Sequence, residues 1–386
     1  MPVLESFTTV CRQRVPLRPK SPQARARVLF LSMYHLGWKT WSRYIEHYTP
    51  LCAELDAVHV HVTQPLWMRV VNRPLPRPIG RGLLTPARAW RWYVRRHLAK
   101  LILSREFDAV FVNSQILAPA LVELCQAADT KLMVCTDVTG PAYVRDLLGQ
   151  SDAGRSWQEE RAIFAACHLV VPMSEWIADS LAQDFRVPRE RIMVVPPVID
   201  LAEGEPTKPV AYGCLPRLLF CGNDWHRKGG PRLVRWHQQH WSNLAELHVV
   251  SKDADLPPGL KNVVNHGVVP NERMLKEILP SADVFCLPTT QDMSPFAVTE
   301  AQAFGIPTVA SKIGGLADLV LHGKTGYLIS PRDEAGFVSA VSSLLRSADL
   351  RSTMRREALQ HAQTHLNAAA LLPRLLARVV DVVRNS

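Results

Sequence analysis

The sequence predicts an α/β protein built as two Rossmann-like units whose parallel sheets face a central cleft. Short β-rich apolar runs alternate with helical segments through both halves, as in parallel strands joined by crossover helices. The alternation stops between Asp200 and Pro216, where large apolar residues are few, and then restarts. A chain of 386 residues, 47% of them apolar, is also long enough for two buried cores. The expected organisation is a mobile tail over residues 1–26, a first unit over 27–200 and a linker over 201–216. A second unit follows over 217–365, and residues 366–386 form an amphipathic helix that either crosses back over the cleft or caps the second unit.

The first 27 residues lack the apolar core of a secretory signal and carry Pro2, Pro16, Pro19 and Pro22. Residues 27–32 are the first strand, followed by a loop around Gly37 and an aromatic helical segment over 38–48. Gly37 reads either as a phosphate-loop glycine or as an ordinary turn. Residues 58–62 alternate as a strand. Residues 108–112 and 131–135 are two further strands with a helix between them, and the second ends in Thr136 and Asp137, at the sheet edge where α/β proteins place ligands. A helix holding Glu159, Glu160 and Arg161 leads to a strand over 168–171. Ser174 caps the next helix, and residues 192–196 are expected as the last strand of this half.

The charge is uneven. Net charge is +10, with a pI near 9.4, which calls for an anionic partner: nucleic acid, a membrane surface or a phosphorylated substrate. Between Ala57 and Arg105 there is no acidic residue, while arginines accumulate beside Trp67, Trp90, Trp92 and Tyr93. Thr85 and Pro86 begin a helix on which Trp90, Val94, Leu98 and Leu101 form a core stripe, leaving Arg88, Arg91, Arg95 and Trp92 outside. Such a face over segment 67–100 suits anionic lipid headgroups, or is a solvated helix surface. No nucleic-acid module accompanies it. No run approaches the ~20 apolar residues of a membrane-spanning helix. The eight cysteines show no CxxC pairing and several sit in apolar runs, which favours a reducing, cytoplasmic setting and no structural metal.

In the second half, a strand over 218–221 runs into the loop Gly222-Asn223-Asp224-Trp225-His226-Arg227-Lys228-Gly229. Later, a strand over 284–288 leads to Asp292-Met293-Ser294-Pro295 and a helix over 296–304, with Glu300 about one turn inside. A helix start carries free N–H groups and partial positive charge, so a phosphate can rest there while flanking acids bind hydroxyls. Met293, Ser294 and Phe296 bracket that start, and Pro295 withdraws one donor from it. The plain alternative is a strand–loop–helix unit with an incidental acid at each end.

The ordered set 222–229, 292–300, Ala301 to Gly315 and His322-Gly-Lys-Thr-Gly-Tyr-Leu328 resembles the retaining nucleotide-sugar glycosyltransferases of family 4. The resemblance is strong from about Leu218 to Leu345. It implies the GT-B architecture, a nucleoside diphosphate sugar as co-substrate, and no cofactor or metal. By position, Glu300 would hold the donor ribose, and Asp292, in place of the family's first glutamate, the transferred sugar. Arg227 and Lys228 would neutralise the diphosphate, and Asn223, Gly37, Met293, Ser294 and Phe296 would line the donor site. Asp137 stands where relatives carry a histidine, and is the active-site candidate of the first half. His35 and His226 lie near expected cleft edges, as structural or site residues. The expected function is retaining glycosyl transfer to an acceptor hydroxyl in glycolipid, polysaccharide or other glycoconjugate synthesis, with a lipid-linked or saccharide acceptor. The setting would be cytoplasmic or peripheral on the inner membrane face. The alternatives are a silent binding subunit, or a phosphorylase- or epimerase-like enzyme of the same architecture.

Overall fold

The computed structural model describes residues 25–33, 37–63, 86–151, 156–201 and 215–385. Nearly all of the expected tail and linker, His35, Trp67 and Arg69 to Arg81 fall outside this set. Two parallel sheets organise the chain. The first holds β1 (Ala26–Met33), β2 (Leu55–Val62), β3 (Ala109–Val112), β4 (Lys131–Thr136) and β5 (Cys167–Pro172) in the order β2-β1-β3-β4-β5. The second holds β6 (Arg217–Cys221), β7 (Glu246–Val250), β8 (Val263–Gly267), β9 (Val284–Leu287), β10 (Thr308–Ser311) and β11 (Gly326–Ile329) in the order β11-β10-β9-β6-β7-β8. Strand order reverses at β1/β3 and at β6/β9, and such reversals open a crevice at the strands' carboxyl ends.

The central strands β1, β3, β9 and β10 are buried along their whole length because helices cover both faces. Edge strand β8 was not expected from the sequence. Its Val264 is exposed, and a half-solvated pattern gives little periodic signal.

Residues 192–196, expected as a strand, form none. They run beside β5 through two 3.0 Å hydrogen bonds, Met193 N–H to the Val170 carbonyl and Val195 N–H to that of Pro172. Pro196 and Pro197 have no N–H to continue the ladder. On the helix Pro86–Ile102, Trp90, Val94, Leu98 and Ile102 make the buried stripe, with Leu101 only half-buried. Arg91 and Arg95 do point outward, but each is ion-paired, to Glu159 and Glu123.

The last helix, Ala368–Asn385, leaves the second unit and lies on the first. Leu372, Leu375, Leu376 and Val379 are fully buried in one apolar cluster with Val28, Phe30, Leu169 and Val171 of β1 and β5. Its final carbonyls are satisfied by the Lys131 ammonium, 2.8 Å from that of Val382 and 2.9 Å from that of Val383. Each buried leucine contributes about 1.5–3 kcal/mol. This helix therefore straps the two units together. Leu375→Ala is expected to cost roughly 2–5 kcal/mol in chemical denaturation. Amide exchange in the variant should quicken in β1 and β5 before it quickens in β9 and β10.

Candidate active site in the domain cleft

The loop after β6 is held down on the end of β9. Gly229 has φ +83°, and a Cβ there would lie 2.0 Å from the Pro288 carbonyl oxygen, so only glycine fits. The Arg227 carbonyl accepts from the Thr290 N–H (2.8 Å) and from the Thr289 and Thr290 hydroxyls (3.2 and 3.0 Å). This docking brings the Lys228 ammonium onto the Asp292 carboxylate, an ion pair whose side chains are 13% and 8% exposed. Arg227 turns the other way. Its Nε donates to Asp224 (2.6 Å) and its Nη1 to the Gln291 carbonyl, so it braces the loop. Asn223 is exposed, and its side-chain oxygen accepts from the Lys252 N–H at 3.3 Å. His226 is exposed as well.

The helix Phe296–Ala303 begins beside that ion pair. Pro295 stands before it in an extended conformation, and no side chain caps it. Glu300 is its fifth residue, where burial pushes the carboxyl up to about 7. Its charge reaches the Cys221 thiol, itself pushed up to about 12, mainly by burial.

Asp137 faces these groups from the end of β4. Burial pushes it up to about 6; the Asp292 carboxylate adds to this, while Asp137's own N–H opposes it. Its neighbour Thr136 is fully buried, with its hydroxyl held by Gln115 and the Val138 carbonyl (2.7 Å), so it shapes the turn and is not a cleft group.

Three of the expected donor residues, Gly37, Phe296 and Ser294, mark where the units touch, while Met293 is bonded within its own unit. A Cβ on Gly37 would lie 2.8 Å from the Phe296 ring, so the glycine permits close approach. Phe296 packs against the apolar cluster of the first unit. Ser294 donates to the Met173 carbonyl at 3.5 Å, and the Met293 carbonyl accepts from the Gly315 N–H at 2.6 Å.

Residues 54–203 match the Glycosyltransferase Family 4 model, and residues 215–347 match Glycosyl transferases group 1. The chain belongs to these glycosyltransferases. It is 28% identical over 248 residues to the D-inositol 3-phosphate glycosyltransferase of Arthrobacter sp. FB24, covering 58% of this chain and 59% of that protein. A 28% match to the same-named protein of Pseudarthrobacter chlorophenolicus covers 53% and 54%. The chain thus spans less than two thirds of the length of these curated relatives. Among solved structures, sucrose-phosphate synthase from Thermosynechococcus elongatus superposes with TM-score 0.73 at 16% identity, over 94% of this chain and all of that one. Anabaena HepE, determined with UDP and glucose, gives 0.66 at 14%, over 92% and 99%. The two facing sheets are the GT-B fold.

In this chain the structure sets Lys228 on Asp292, brings Asp137 within electrostatic reach of that carboxylate, and places Glu300 about one helical turn further on. Sequence reasoning missed two features. The Asp318 carboxylate accepts the Glu175 N–H at 2.6 Å, capping a helix of the opposite unit, and nothing in the local pattern signals it. Also missed is the outward row Thr40, Arg43 and His47 on the helix Gly37–Tyr48, whose three-to-four spacing is legible but whose counterpart is not.

Since folding raises the Glu300 carboxyl from about 4.5 to about 7, ionised Glu300 costs stability. The cost is absent below the lower value and complete above the upper one. At pH 8, ligand-free Glu300→Gln is therefore expected to melt about 2–4 °C above wild type, with no difference at pH 4, as calorimetry would show.

Proposed function

We propose that this protein transfers a sugar, with retention of configuration, from a nucleoside diphosphate sugar to an acceptor hydroxyl. The Lys228–Asp292 pair at an uncapped helix start, facing Asp137 across the cleft, carries this reading. Glu300 would accept hydrogen bonds from the donor ribose, and the N–H groups of the Phe296 helix start would receive the diphosphate. Lys228 would move from Asp292 to the phosphates. Asp292, thus released, would orient the sugar hydroxyls.

In the chemical step the bond from the anomeric carbon to the phosphate oxygen breaks, and that carbon bonds the acceptor oxygen on the same face. The acceptor proton passes to the departing phosphate oxygen. Negative charge grows on the diphosphate, where Lys228, little exposed to water, would supply positive charge, with Arg227 bracing its loop and adding to the positive potential. These cations support a reaction that needs no metal. Asp137 and Asp292 would hold the sugar in its reactive orientation.

The test is release of nucleoside diphosphate from a panel of nucleotide sugars, with and without chelator, using lipid-linked and polysaccharide acceptors. Lys228→Ala is expected to lower kcat/KM by roughly 10²–10³-fold. Turnover with every donor and acceptor at the level of Lys228→Ala would favour a silent binding subunit. Turnover that stops with chelator would remove the metal-free reading.

A lipid-linked acceptor and a peripheral membrane position are supported by the helix Pro86–Ile102, where Trp92 is 55% and the adjoining Leu103 45% exposed beside exposed Arg96 and Lys100. Among the described residues no helix is long and apolar enough to cross a membrane. The six described cysteines are free, which supports a cytoplasmic setting. Wild type is expected to co-sediment with vesicles containing phosphatidylglycerol. Trp92→Ala combined with Arg96→Gln should abolish this, and unchanged binding would dismiss this helix as the anchor.

A further inference from the structure

A cavity of about 260 Å³ lies between the two units. From the second unit it is lined by Glu300, Asn271 and Leu275; from the first, by Thr40, Arg43 and Tyr44 of the helix Gly37–Tyr48. Lys228, Asp292 and Asp137 are not in its wall, so it opens from Glu300 away from the charged point of the cleft. Pockets for drug-sized ligands run from about 300 to 1,000 Å³, so this space holds one part of a nucleotide sugar and not the whole.

The order of groups along the donor then decides which part. The diphosphate belongs at the helix start. Glu300 follows about 6 Å along the helix axis, four residues on at 1.5 Å each. Beyond a ribose held there, the base is what continues into the cavity. Leu275 offers it an apolar contact, and Asn271 offers both a donor and an acceptor.

Arg43 distinguishes the opposite wall. It is exposed and pairs with no acid among the described residues, although Glu46 and Asp200 line the same cavity; Glu46 is bound to His61, and Asp200 accepts from the Tyr48 hydroxyl at 3.1 Å. A guanidinium has five N–H donors and no acceptor, so it favours a base edge that presents carbonyl oxygen, as uracil and guanine do, over the amino-bearing edge of adenine.

Resting on the donor reading above, we propose that the helix Gly37–Tyr48 supplies the second wall of the nucleoside pocket, and that Arg43 selects a donor whose base carries a carbonyl edge. The nucleoside is then gripped by both units at once, and donor binding needs the units in contact.

Calorimetric titration with UDP, GDP, ADP and inorganic pyrophosphate tests this, on wild type and on Arg43→Gln, which alters an exposed side chain and leaves the core intact. Wild type is expected to bind UDP or GDP at least about 10-fold more tightly than ADP. Arg43→Gln should weaken that binding about 10-fold, while changing ADP and pyrophosphate less than about 2-fold. In turnover the same variant should raise donor KM with little change in kcat. If wild type binds a nucleoside diphosphate and Arg43→Gln binds it equally well, the second wall is disproved and the donor reading stands. If wild type binds none of the three nucleotides, this inference falls, and the donor reading falls with it if no nucleotide sugar of the panel is turned over.

Discussion

The ion pair between Lys228 and Asp292 is the contact on which the cleft depends. Two charges with little exposure are costly to remove from water, and their attraction offsets this only when both are held in place. Both are held. The lysine sits on a loop pressed against Pro288 at Gly229, and the aspartate accepts its neighbour's N–H at 3.2 Å as the chain turns into the Phe296 helix. The pair is therefore a product of the close meeting of β6 and β9, at the reversal of strand order in the second sheet.

Other acids around the pair are kept short of full ionisation. Burial raises both Asp137 and Glu300, and Asp292 adds to the effect on Asp137. Such groups are poorly solvated in the cleft and gain most from hydroxyl donors that arrive with a ligand. No side chain caps the Phe296 helix start, although the Val298 N–H there already donates to the Pro295 carbonyl at 3.0 Å. An arrangement that leaves acids and donors wanting partners is built to bind, and the last helix, strapped across both units, holds the two walls at that spacing.

The second half was the more legible. Its loop residues Arg227 and Lys228 and its acids Asp292 and Glu300 lie close in sequence to strand ends, and local patterning alone puts a strand end at the cleft. The roles of individual side chains were less so. Arg227 is occupied within its own loop, while Ser294 and Phe296 mark the contact between units. Two adjacent residues of one loop, Arg227 and Lys228, point to different partners, and spacing along the chain carries no information on that choice.

By itself, then, the sequence determined the α/β alternation, the division into two units, the amphipathic last helix and the acids and cations that could serve a sugar nucleotide. Those properties follow from period, turn chemistry and residue type, which are local. What faces what was decided by tertiary structure: the meeting of Asp137 with Asp292 across the cleft, the Gly37–Phe296 contact, the cap of Asp318 on Glu175, and the helix wall opposite Glu300. Each of these joins residues more than a hundred positions apart. Their distance is set by how two finished units pack, and no pattern within either unit encodes it.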